Sequence, residues 1–83
     1  MNAEKLEGMD IYCKPGTKVI FSGLNGRDTQ LEQAKAILTV GKEYTVDSII
    51  VDSWNTDVFL EGFLSGFNSV FFVTPASWKE ANS

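Results

Sequence analysis

Four carboxylates, Asp47, Asp52, Asp57 and Glu61, fall close together in the second half of this 83-residue chain. Two such groups side by side can bind a metal that activates water, or divide general acid and base roles in cleaving a glycosidic bond. Their spacing argues against both uses. It places them at turn edges and on outward-facing strand positions, where solvated charge discourages a sheet from pairing with other chains. The sequence contains no histidine. The commonest general base and metal ligand is therefore missing, and so is every imidazole-based triad. Cys13, the single cysteine, lacks a histidine partner to make it a reactive thiolate. Beside Tyr12 and just before a strand, it reads as a small buried hydrophobe. The expectation is a non-enzymatic protein with no catalytic residues, metal or cofactor.

Binding chemistry has better material. Trp54 sits in the polar stretch Asp52-Ser53-Trp54-Asn55-Thr56, either as a lid on one end of the fold or as a contact residue. Exposed Trp and Tyr are typical interface anchors, and Phe59 and Phe63 are expected to form an apolar outer patch beside Trp54. The binding set is thus Trp54, Asn55, Asp57, Phe59 and Phe63. An alternative set suits a phosphorylated ligand held between subunits: Lys14, Arg27 and Lys42 to meet phosphates, Tyr12 or Trp54 to stack on a base. Gly23-Leu24-Asn25-Gly26 ahead of a helix superficially resembles a phosphate cradle. It lacks the Lys-Ser/Thr pair of such loops, and Asp28 would repel phosphate, so a plain turn is expected.

The elements that must position these residues can be read from periodicity. Lys14-Pro15-Gly16 is a turn, and Thr17-Lys18-Val19-Ile20-Phe21 is a β-branched and aromatic strand. Thr29-Gln30-Leu31-Glu32 fits a capping box. The stripe Leu31, Ala34, Ile37, Leu38 then predicts a helix of about three turns, stopped by Gly41. Glu43 to Val51 is the strongest strand. Tyr44 and Val46 share a face, and a phase change at Ile49-Ile50-Val51 predicts a bend or bulge. Asp57 to Glu61 pairs back as a hairpin, Gly62 to Gly66 interrupts, and Phe67 to Val73 supplies a helical turn and a last strand. Phe21, Tyr44, Leu60 and Phe72 take inward positions, and Trp78 folds back onto the sheet. Short connections make the sheet antiparallel, and four or five short strands must curl to bury one face. Residues 1–10 read as a loose leader, 11–74 as one domain and 75–83 as a polar tail.

Charge and composition narrow the partners. Residues 1–42 carry six Lys/Arg against five Asp/Glu, whereas residues 43–83 carry Lys79 alone against six acids. Nucleic-acid affinity comes mainly from cations on phosphates, so an acidic chain without a basic cluster is a poor candidate for it. One cysteine excludes an internal disulfide. No apolar run approaches the roughly 20 residues that span a bilayer. A cytoplasmic protein is expected. Six Phe and two Trp suit the efficient core that so short a chain needs, with association into a homo-oligomer as a supplement.

Leu38-Thr-Val-Gly-Lys-Glu-Tyr-Thr-Val46, Val58-Phe-Leu-Glu-Gly62 and Phe67-Asn-Ser-Val-Phe-Phe72 together resemble a group of small phage and prophage proteins. These share a Gly-Lys-x-Tyr-x-Val strand, a Val-x-Leu-x-Gly strand and a terminal Phe-x-x-x-x-Phe. The similarity spans about residues 14–73. It implies a mainly β fold, a small antiparallel, partly open Src-homology-3-like barrel with a helix inserted after the first strand. The motifs are core and turn residues, so no site residues carry over. The context implied is a phage accessory factor acting by stoichiometric binding. Its target would be a host protein, including a component of anti-phage defence, or it would act as an oligomeric sponge for a small nucleotide signal.

Overall fold

The computed structural model describes residues 7–23, 28–53 and 56–82. Among these residues, five strands and two helices follow in the order β1 (Lys18–Phe21), α1 (Asp28–Ile37), β2 (Glu43–Val51), β3 (Thr56–Leu60), β4 (Gly66–Asn68), a 3₁₀ turn (Ser69–Phe71), β5 (Phe72–Val73) and α2 (Pro75–Ala81). The strands form one antiparallel sheet ordered β4-β3-β2-β1-β5. It is not closed: β4 and β5 are its two ends. The mainly β architecture and the helix between the first two strands match expectation.

Long β2 makes the curl possible. Its first residues, Glu43 to Thr45, pair with β1, and Val46 to Val51 pair with β3. The register shifts between Val46 and Ser48, so Asp47 is an extra residue that bends the strand. This is the bulge the phase change predicts. Before it, Tyr44 and Val46 point inward; after it, Ile49 does, while Ile50 is exposed. The Lys14–Thr17 turn, closed by the Thr17 amide on the Lys14 carbonyl at 3.2 Å, docks on the same region through Gly16 N to Val46 O at 2.7 Å.

The core lies between the concave face of the sheet and α1. Val19, Phe21, Val46, Val58, Leu60 and Phe72 fill it from the strands, and Ala34 and Leu38 from the helix. Phe21, Tyr44, Leu60 and Phe72 are all buried, as read from the sequence. Cys13 is half-buried against this cluster. α1 departs from expectation at both ends. It already includes Asp28, so Thr29 lies inside the first turn and does not cap it. Ile37, placed on the apolar stripe, is 52% exposed: it sits at the margin of the stripe, one residue before Leu38, which takes the core position.

The two terminal segments also differ from the expected leader and tail. Glu7 to Met9 lie along β5, with a bridge from Gly8 to Val73, Met9 N donating to Phe72 O at 3.2 Å and Thr74 N to Glu7 O at 2.9 Å. Met9 is buried, and this apolar anchor is what holds the segment down. Residues 75–81 form α2. Thr74 caps it by accepting from Ser77 N at 3.3 Å, and Pro75 takes the first turn, where a missing amide costs nothing. Ser77 and Ala81 are buried, and Trp78 lies over Gly41, folding back as expected.

Candidate functional site

The four carboxylates of the second half do not converge. Asp47, Asp52, Asp57 and Glu61 are all exposed, at the bulge, after β2, within β3 and just past it. Asp52 accepts from the amide and hydroxyl of Ser53 at 2.7 and 3.3 Å. Among the described residues no three potential metal-ligating side chains lie together. The two halves of this chemistry, charge and proximity, are thus kept apart by the sheet itself.

The expected binding set is divided by the fold. Trp54 and Asn55 lie outside the described residues. Phe59 stands opposite Gly66 on the outer face of the sheet, between inward-pointing Val58 and Leu60. Its ring covers Gly66 so closely that a Cβ there would come within 3.0 Å of it. Phe63 instead packs inward, edge-on to Tyr44 at 5.7 Å and to Phe67 at 6.0 Å between ring centroids. The two Phe therefore do not form one outer patch. Strand alternation assigns Phe59 outward, and the turn at Glu61–Gly62 redirects the chain before Phe63.

The alternative cationic set is partly placed. Arg27 is outside the described residues. Tyr12 is 78% exposed, its amide donating to the Asp10 carboxylate at 2.9 Å. Lys14 is exposed in its turn, and the Lys42 ammonium lies 5.5 Å above the ring of Tyr44. Tyr44 in turn accepts the Thr39 amide at 2.8 Å through its hydroxyl. Lys42 is thus held against the protein by a cation–π contact.

A concavity that the sequence did not reveal lies between α1 and β4. Gln33, Ala34 and Ile37 form its helical wall. Gly66, Phe67 and Asn68 form the strand wall, and Phe71 from the 3₁₀ turn joins them. Ser65 and Asp57 complete it, Asp57 standing opposite Asn68 in the ladder. Among the described lining residues, Asp57 is the only member of the expected set and the only charged residue. The volume is about 220 Å³. That is below the roughly 300–1,000 Å³ of pockets that enclose a small ligand, and it is partly open to solvent. Such a space admits side chains of a segment laid in from outside. The one signal in the sequence was Ile37 at the edge of the helical stripe. β4 has three residues and no alternating pattern, so the strand that makes the other wall left none.

Residues 10–81 match the family model described as Bacteriophage T4 protein Y07B. No curated protein and no solved structure matches the chain. No helix of the described residues is long and apolar enough to cross a membrane.

Proposed function

Because the chain belongs to the Bacteriophage T4 protein Y07B family, we propose that it is a non-enzymatic phage accessory protein that binds a host protein stoichiometrically, through the groove between α1 and β4. The observation that carries this reading is Ile37. A helix in a small domain normally spends its large aliphatic residues on the core, yet this one leaves Ile37 half out of it, lining an open groove. Leu64, fully exposed, is next in sequence to the lining residue Ser65. An exposed aliphatic side chain at the wall of a concavity marks an interaction surface more than one on open surface does. A host component of anti-phage defence is the target class that a phage accessory factor of this kind would engage.

The fold supports a binding role. We read the order β5-β1-β2-β3-β4, with a 3₁₀ turn joining β4 to β5, as a Src-homology-3-like barrel left open between β4 and β5. Small barrels of this kind offer edges and loops to partners. Tagged protein incubated with host lysate is expected to retain one host protein at equal stoichiometry. Ile37→Asp, folded by circular dichroism, is expected to lose most of it. Recovery of no stoichiometric partner, or equal recovery by Ile37→Asp, overturns the reading.

A further inference from the structure

The two ends of the sheet are treated differently. At β5, residues 7–9 pair along the outer edge and cover it. At β4, the described residues supply no further strand, and α1 stands across the gap. The hydrogen-bond alternation shows which groups face that gap. Glu61 N donates to Thr45 O at 2.8 Å, so Val46 and Leu60 form a non-hydrogen-bonded pair. Counting back along β3, Val58 turns its amide and carbonyl to Phe67, and the main chain of Gly66 turns to the open side. Gly66 has no side chain to obstruct it. A strand edge facing a helix across a groove is the geometry by which extended peptides add to a sheet.

We propose that this groove takes an extended, cationic segment of the partner as an additional strand on β4. This rests on the reading that the chain binds a protein. The charge of the occupant follows from Asp57, the single charged side chain among the described lining residues, on a chain of net charge −4. Gln33, Ser65 and Asn68 give neutral polar contacts. Ala34, Phe67 and Phe71 receive an aliphatic side chain, with Ile37 over it. β4 has only three residues, so main-chain bonds are few. Side-chain pockets and the Asp57 charge must supply the remaining selectivity.

The test is an amide-resolved NMR titration of the full chain with a blocked heptapeptide of alternating valine and lysine. Two comparison peptides are used: the valine–glutamate counterpart, and a valine–lysine version N-methylated at alternate residues. Saturable shifts centred on Gly66, Asn68, Gln33 and Ile37 are expected. Affinity should fall about fivefold for the glutamate peptide, as expected when an exposed charge pair is reversed, and also weaken for Asp57→Asn. N-methylation should abolish binding. Absence of saturable shifts, shifts centred elsewhere, or equal binding of the glutamate or methylated peptide overturns the proposal. A host protein captured through Ile37 while the peptides fail leaves the binding reading standing and removes this inference alone.

Discussion

Gly23 and Gly62 both hold left-handed backbone, at φ +66° and +88°, but in different surroundings. A Cβ on Gly62 would meet nothing within 4 Å, whereas one on Gly23 would lie 2.8 Å from Cγ2 of Val40. Gly62→Ala therefore isolates conformational strain, about 1–2 kcal/mol. Gly23→Ala adds a steric clash and should cost about 1 kcal/mol more. Val40 is largely exposed, so trimming it removes the clash at little loss of burial. Val40→Ala in the Gly23→Ala background should bring the cost back toward that of Gly62→Ala. Urea midpoints at constant slope read all of these, and strictly additive effects of the two changes would contradict the argument. The sequence could show that glycine stood at both places. It could not show which one faced a neighbour, because Val40 reaches Gly23 only after α1 has brought the chain back. Phe59 and Phe63 failed for the same reason. Their types indicated apolar surface, but strand alternation and the Gly62 turn decided that one faces out and the other in.

Among the elements, β2 was the most legible, because its own residues record its bulge: the apolar face changes from Tyr44 and Val46 to Ile49. α2 was legible in principle. Thr74-Pro75 is a cap followed by a first-turn proline, although a polar composition concealed it. β4 was not legible, since three residues fix no period. The cap of α2 provides a test at this scale. Thr74 Oγ1 accepts the Ser77 amide, and Ser77 Oγ is shared between Thr74 and the Glu7 carbonyl. Thr74→Ala should cost about 1 kcal/mol, while Thr74→Ser should be close to neutral. In a Trp54→Phe background, where Trp78 alone reports, Thr74→Ala should also shift emission to the red as Trp78 loses its place over Gly41. An unchanged spectrum with full stability would mean that α2 is held by Ser77 and Ala81 burial without its cap.

The whole molecule is tied together by rings. Tyr44, Phe63, Phe67, Phe72, Phe21 and Phe71 form an unbroken series, with successive centroids 5.7 to 6.5 Å apart. It joins β2, the β3–β4 connection, β4, β5, β1 and the 3₁₀ turn, so both ends of the sheet share one core. The aromatic richness of the sequence announced an efficient core, and five of its six Phe serve it. Phe72 has two partners in the series, Phe21 and Phe67, and is fully buried. Removing it breaks the connection between β1 and β4. A domain of 83 residues has about 4–12 kcal/mol of stability in total, and Phe→Ala in a core costs about 3–5 kcal/mol. Phe72→Ala should therefore lose near-ultraviolet dichroism and its calorimetric transition, or melt far below the parent. Phe59→Ala removes a ring of the same size from the outer face, where it touches Gly66 and is half exposed. It should cost about 1–2 kcal/mol and keep a single cooperative transition. If the two variants unfold alike, cohesion is spread over both faces of the sheet, and the ring series does not unify the fold.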